Sequence, residues 1–147
     1  PGSGKTTVGG LLARQVGLPF RDCDPQVERL AGRTVAQLFS GGEECFRRWE
    51  TAALQALCAG EDCVLATGGG AVLHEENYAP LHQNGVIFWL RRDLDKLERD
   101  GRPLSRAGNL NAMYEMREKR YLRFADYIID NNRALEDTVE DIRKVIL

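Results

Sequence analysis

The chain has 147 residues, of which 43% are hydrophobic and 29% are charged, and its formal net charge at pH 7 is −2. This length and composition are typical of one soluble globular domain with its own core. The weak net charge argues against a nucleic-acid or membrane-surface partner, and no apolar run is long enough to span a membrane.

The chain opens on a phosphate-binding pattern. Its first seven residues read Pro1-Gly2-Ser3-Gly4-Lys5-Thr6-Thr7, the second half of G-x-x-x-x-G-K-[ST]. Backbone N–H groups of such a loop, and the N-terminus of the helix after it, bind nucleotide phosphates. We therefore predict an ATP site at residues 2–7, with Lys5 on the phosphates and Thr6 on Mg²⁺. The competing interpretation is a plain glycine turn before a helix, which so specific a pattern disfavours.

The first glycine of this pattern and the apolar strand that should precede it are absent from the sequence. We expect the complete protein to contain them before Pro1, since their loss would leave two strands of a sheet without a neighbour. A chain without them is expected to fold poorly and to be inactive.

Helices and strands alternate through the first half of the sequence. A first helix carries Val8, Leu11, Leu12 and Val16 at helical spacing. The longest helix, from about Glu43 to Ala59, has a predicted core stripe of Phe46, Trp49, Ala53 and Leu57. Between them lie a strand at 18–24 and short helices at 25–31 and 35–39, and a strand at 62–67 runs into three glycines at 68–70. Such a glycine run favours a loop where the backbone approaches a ligand.

The second half continues the alternation. The pattern predicts a weak helix at 75–83, a clearly buried strand at 86–90, a short helix at 93–99, a polar mobile loop at 101–111, a helix at 113–124, a strand at 127–130 and a closing helix at 138–147. Strands that alternate with helices indicate an α/β domain with a parallel sheet, whose ligands gather at the carboxyl ends of the strands. The four cysteines form no C-x-x-C pair and are predicted to be reduced, buried hydrophobic residues.

Several charged side chains are candidates for the chemistry beyond the phosphates. Asp22 and Asp24 could hold Mg²⁺ through water or accept a hydroxyl proton, with solvated acids as an equal alternative. Arg47 and Glu50 share a helix face away from the core stripe, where a surface ion pair is the simpler interpretation.

Two further arginines stand out. Arg117 lies on a semi-apolar helix face and needs an anionic partner, so with Arg47 it would suit a substrate carboxylate. Arg102, in the polar loop, is either a phosphate-binding finger or a solvated charge.

These residues together resemble the shikimate kinase family. Gly42-Glu43-Glu44-Cys45-Phe46-Arg47-Arg48-Trp49-Glu50 is similar to its G-E-x-x-F-R-x-x-E segment, and Val64-Leu65-Ala66-Thr67-Gly68-Gly69-Gly70-Ala71-Val72 to its triple-glycine signature. Asp22-x-Asp24, Arg102-Pro103-Leu104 and Arg117-x-x-x-Tyr121-x-x-x-Ala125-Asp126 follow in the family's order. The likeness covers essentially the whole chain.

The resemblance implies a role for each matching residue. Asp24 would bind shikimate hydroxyls and act as base toward the 3-hydroxyl, and Arg47 and Arg117 would bind the carboxylate. Glu50 would orient Arg47, and Gly69 would offer its N–H to shikimate. Asp22 would support Mg²⁺ through water. Arg102 would reach the phosphates from a lid at about 101–112, and Arg133 would pack on adenine.

The fold implied by the resemblance is a three-layer P-loop kinase domain over residues 1–147. Its parallel sheet has the order 2-3-1-4-5 with the first strand absent from this sequence, helices cover both faces, and a substrate-binding region spans about 25–60. The implied protein is a cytoplasmic monomer that phosphorylates shikimate with ATP. Alternatives are a related kinase for gluconate or a nucleoside monophosphate, a binding domain without turnover, or one domain of a fused enzyme.

Overall fold

The computed structural model describes residues 4–93 and 107–146. Its helices are α1 (Lys5–Val16), α2 (Cys23–Ala31), α3 (Val35–Ser40), α4 (Glu43–Cys58), α5 (Tyr78–Gln83), α6 (Ala107–Phe124) and α7 (Leu135–Ile146). Its strands are β1 (Phe20–Asp22), β2 (Val64–Ala66), β3 (Phe88–Arg91) and β4 (Tyr127–Asp130). Two 3₁₀ turns, Ala71–Leu73 and Glu75–Asn77, connect β2 to α5.

The four strands form two parallel pairs. β1 pairs with β2 so that Phe20 lies opposite Val64, and β3 pairs with β4 so that Phe88 lies opposite Tyr127. These are the pairs that the predicted order places on either side of the absent first strand. The predicted α/β architecture with a parallel sheet is therefore confirmed.

A cleft separates the two pairs of strands. Its volume is about 1060 Å³, and it is lined by Val64 and Leu65 of β2, by Phe88 and Leu90 of β3, and by Val8 of α1. Among the described residues, neither β2 nor β3 has a second strand partner. This explains why the strand predicted to be the most buried is only half-buried. This strand, β3, begins at Phe88 and not at the predicted Val86, whose side chain is exposed.

Two apolar clusters hold the helices against the strands. One joins α2, α3 and α4 and contains Cys23, Val27, Leu38, Phe46, Ala53, Leu54 and Ala71. The other joins α1, β4 and α7 and contains Val8, Leu12, Ile129, Val139 and Ile142. All four cysteines are free; Cys23 is buried, which raises its thiol pKa to about 12, and the other three are half-buried. Trp49 and Leu57, predicted for the core stripe of α4, are also only half-buried.

Several element boundaries differ from the predicted ones, and two of them bear on the site. β1 ends at Asp22, because the Asp22 carboxylate accepts the backbone N–H of Asp24 and so caps the start of α2. Asp24 therefore lies in the first turn of a helix and not on a strand beside Asp22. α6 begins at Ala107, six residues before the predicted Met113, and takes up half of the predicted lid.

The short helix predicted at 93–99 and the lid residues 101–106 lie outside the described residues, apart from Asp93. Within the described ranges, every helix is too short or too polar to cross a membrane.

Candidate functional site

The phosphate-binding end of the site is built at the N-terminus of α1. Gly4 caps the helix with φ of +75°, a left-handed conformation that glycine adopts without strain. Lys5, Thr6 and Thr7 form the first turn, so their N–H groups and the positive end of the helix dipole face the same direction. A helix N-terminus of this kind can bind an anion, and the predicted ATP site at this turn stays a prediction. Gly2 and Ser3 lie outside the described residues.

Asp22 links this turn to the helix that follows β1. One of its carboxylate oxygens accepts the Asp24 N–H at 3.1 Å, and the other lies 3.5 Å from the Thr6 hydroxyl. A hydroxyl and a carboxylate at this separation suit Mg²⁺, which takes oxygen ligands and keeps several of its waters. No cluster of three or more His, Cys, Asp or Glu side chains suited to a metal occurs in the described part of the chain. The donor set thus fits a metal held partly by nucleotide phosphates.

Asp24 stands where the phosphate-binding turn meets the rest of the site. Partial burial raises the pKa of its carboxyl group, and the neighbouring charge of Asp22 raises it further. The positive charges of Lys5 and Arg47 act in the opposite direction. A carboxylate with a raised pKa is a suitable proton acceptor for a hydroxyl group.

Arg47 and Glu50 form a buried ion pair on α4. The Arg47 Nη1 donates to Glu50 Oε1 at 2.9 Å, and the side chains are only 6% and 0% exposed. Burial raises the pKa of Glu50, and the hydrogen bond from Arg47 opposes this shift. The guanidinium also lies 5.1 Å from the centre of the Phe46 ring and 3.5 Å from a carboxylate oxygen of Glu43. A surface ion pair, the simpler interpretation of the sequence, is therefore wrong.

The glycines at 68–70 lie directly against this pair. A Cβ added to Gly70 would be 2.2 Å from Arg47 Nη2, and one added to Gly68 would be 2.9 Å from Glu50 Oε2. Real Cβ atoms essentially never come within 3.0 Å of another heavy atom. The sequence predicts a close approach of this loop to a ligand. At Gly68 and Gly70 the close approach is to the side chains of Glu50 and Arg47.

Arg117 is the second buried arginine. It lies on α6 with 9% exposure, and its buried Nε has no hydrogen-bond partner among the residues that the structure describes. Arg117 is also absent from the ion pairs formed between the described side chains. A buried guanidinium in this state favours an anionic ligand.

α6 is fixed to the segment after the glycine loop by a network around Glu75. Arg120 and Arg123 contact the Glu75 carboxylate at 3.0 and 2.9 Å, and Arg120 Nε also donates to the Val72 carbonyl oxygen at 2.8 Å. The hydrogen bond from Arg123 is the main cause that lowers the pKa of Glu75. This network ties the second half of α6 to the segment that follows the loop.

The remaining predicted residues have different outcomes. Gly69 is half-buried, and its carbonyl oxygen accepts a hydrogen bond from the Tyr121 hydroxyl at 2.9 Å. Arg133 is exposed and forms ion pairs with Asp141 and, at 3.7 Å, with Asp130. Arg102 lies outside the described residues.

Three residues of the site have no role in the sequence-based interpretation. These are Gly68, Gly70 and Tyr121, although each belongs to a motif that the sequence shows. Their importance depends on contacts between distant parts of the chain. The sequence pattern that points to Tyr121 is its spacing of four residues from Arg117, which places both on one face of the helix.

Comparison with known proteins gives a consistent result. The family model described as shikimate kinase matches residues 1–147. A shikimate kinase of Cereibacter sphaeroides is 41% identical over 96% of this chain and 74% of its own length. One of Symbiobacterium thermophilum is 42% identical over 96% of this chain and 88% of its own length. Among solved structures, the shikimate kinase from Acinetobacter baumannii in complex with shikimate superposes with a TM-score of 0.87 at 34% identity, covering 99% of this chain and 87% of that one.

Proposed function

The chain belongs to the shikimate kinase family, and we propose that Asp24, Arg47 and Arg117 bind and activate shikimate in it. The enzyme transfers the γ-phosphoryl group of ATP to the 3-hydroxyl of shikimate, which gives shikimate 3-phosphate and ADP in aromatic amino-acid biosynthesis. The observation that carries the proposal is the pair of buried arginines, of which Arg117 has no acidic partner among the described residues.

The carboxylate of shikimate supplies the anion that these arginines need. Arg47 is already oriented by Glu50, so its guanidinium loses little side-chain freedom when the substrate binds. Arg117 approaches from α6 and completes the binding site for the carboxylate. Gly69 offers its backbone N–H to the substrate, and the region at about 25–60 provides most of the remaining contacts.

Asp24 acts on the acceptor hydroxyl. The oxygen of the 3-hydroxyl attacks the γ-phosphorus, the bond from that phosphorus to the bridging oxygen of ADP breaks, and the hydroxyl proton passes to the Asp24 carboxylate. The raised pKa of Asp24 favours this transfer, since a stronger base accepts the proton more readily.

ATP binds at the N-terminus of α1. Gly2, Ser3, Gly4 and Thr7 contact the phosphates through backbone N–H groups, while Lys5 contacts them by its charge. Thr6 and, through water, Asp22 would hold Mg²⁺, and the metal would supply positive charge to the phosphates. Arg102 contacts the phosphates from the lid, and Arg133 packs near adenine.

All the residues proposed to bind shikimate and ATP belong to one chain, so we propose that the protein acts as a monomer. We also propose that it is cytoplasmic. The free cysteines are in keeping with a reducing compartment.

The decisive experiment measures ADP release in a coupled assay with shikimate, gluconate or a nucleoside monophosphate as acceptor. We expect release with shikimate only. Release with gluconate or a nucleoside monophosphate would assign a related kinase. Binding of shikimate without ADP release would assign a binding domain without turnover.

A further inference from the structure

Tyr121 connects the helix of one buried arginine to the loop that touches the other. It lies one helical turn after Arg117 on α6, and its hydroxyl donates to the carbonyl oxygen of Gly69 at 2.9 Å. Its ring packs against Trp89 of β3, with the ring centres 5.2 Å apart. The ring contact holds the hydroxyl in place, so the hydrogen bond fixes the position of the Gly69 carbonyl group.

The accepting carbonyl belongs to a peptide group that also carries the N–H of Gly70. In a planar trans peptide the C=O and the N–H point in opposite directions, so a hydrogen bond to the one also aims the other. Gly70 in turn lies against the Arg47 guanidinium, and Gly68 lies against Glu50. Three glycines in a row have the least intrinsic preference for one backbone conformation, so they need an external contact to hold it.

The other contacts of α6 lie farther along the chain. Arg120 and Arg123 bind Glu75 and Val72, which follow the glycine loop, and neither arginine has a described contact with the loop itself. Tyr121 therefore differs from Arg120 and Arg123, because its hydrogen bond ends on the glycine loop.

We propose that Tyr121 is a positioning residue for the shikimate carboxylate, a role that rests on the function proposed above. Its hydroxyl fixes the Gly69–Gly70 peptide, and through it the distance between α6, which carries Arg117, and the Arg47–Glu50 pair.

The test replaces Tyr121 by phenylalanine, which keeps the ring against Trp89 and removes only the hydroxyl. The Michaelis constant for shikimate is expected to rise about fivefold, as for the loss of one neutral hydrogen bond, while that for ATP stays unchanged. Replacement by 4-aminophenylalanine restores a donor at the same ring position and should restore the shikimate value. Arg123→Ala is the matched control on the same helix. It should lower stability through the loss of its Glu75 contact and leave the shikimate value unchanged.

A second substrate separates positioning from general damage. Shikimate methyl ester has no carboxylate, so its kcat/KM is expected to be the same for the wild type and Tyr121→Phe. An equal loss with the ester, an equal rise in the ATP constant, or no rise in the shikimate constant would each overturn the proposal.

A measurement without substrate keeps this inference distinct from the proposed activity. The Ala71 N–H donates to the Gly68 carbonyl oxygen at 3.1 Å and so closes the glycine loop. Amide hydrogen exchange of Ala71, followed by NMR in the free protein, is expected to accelerate about fivefold in Tyr121→Phe and to return to the wild-type rate in the 4-aminophenylalanine variant. Unchanged exchange would refute the positioning role even in an active enzyme. The two experiments can also give different answers. If the wild type releases no ADP with shikimate but Tyr121→Phe still shows the faster exchange, the proposed function is refuted and the contact between Tyr121 and the loop is established.

Discussion

Replacement of Gly70 by alanine should damage shikimate binding more than it damages the fold. The new Cβ would lie 2.2, 2.5 and 2.6 Å from Nη2, Cζ and Nη1 of Arg47, so the guanidinium has to move by about 1 Å or more to reach an ordinary contact distance. Arg47 is the flexible partner in this clash, and its movement relieves most of the steric cost.

The magnitude of the effect follows from what Arg47 leaves behind. Its hydrogen bond to Glu50 is 2.9 Å long, and the Glu50 side chain is completely buried. Complete loss of one partner of a buried ion pair costs about 3 to 5 kcal/mol of stability. Displacement of a partner that remains nearby should therefore lower the free energy of unfolding by about 1 to 3 kcal/mol.

Function should respond more strongly, because the displaced guanidinium no longer meets the substrate carboxylate. Loss of a charge-assisted hydrogen bond corresponds to a rise in the shikimate Michaelis constant of about 10- to 100-fold. The assays are denaturant unfolding and steady-state kinetics with shikimate and ATP varied in turn. Gly41→Ala is the matched control, since an added Cβ there meets only ordinary contacts of 3.5 Å or more. A Gly70→Ala variant with the wild-type shikimate constant would refute this account of the loop.

Three further predictions concern other parts of the site. Arg117→Ala should raise the Michaelis constant for shikimate at least about tenfold and leave that for ATP unchanged, and kinetics unchanged for shikimate would remove this arginine from the site. Thr6→Val should raise the Mg²⁺ concentration for half-maximal activity by about tenfold, measured by titration at saturating ATP, and an unaltered titration would argue against the hydroxyl as a ligand. Glu75→Gln should be less stable than the wild type above pH 4.5, the ordinary pKa of the group. Because contacts with Arg123 and Arg120 lower the pKa of Glu75 in the folded state, this difference should vanish as the pH falls through that lowered value; a difference in denaturant unfolding that is equal at pH 7 and pH 3 would contradict the assignment.

The sequence predicts the features that depend on local chemistry. The helix start at Lys5 follows from the local pattern around Gly4, Lys5 and Thr6, because a left-handed glycine suffices to turn the chain into the helix. The two parallel strand pairs follow from the alternation of strands and helices together with the family's strand order.

Features that depend on long-range contacts were not predictable in the same way. Arg47 and Glu50 have a spacing that an exposed ion pair would share, and only the packing of α4 shows that they are buried. Tyr121 and Gly69 are 52 residues apart in the chain, and no local pattern reports their hydrogen bond. Asp24 lies in α2 and not in the predicted strand, because the Asp22 side chain accepts its N–H and caps the helix there.

The double hydrogen bonding of Asp22 has a consequence for the interpretation of variants. Its two oxygens join the first turn of α1 to the first turn of the helix that carries Asp24. Under the proposed function, a substitution at this one position would disturb both the ATP site and the carboxylate that faces the acceptor hydroxyl, so it would alter the dependence on ATP and on shikimate in a single step.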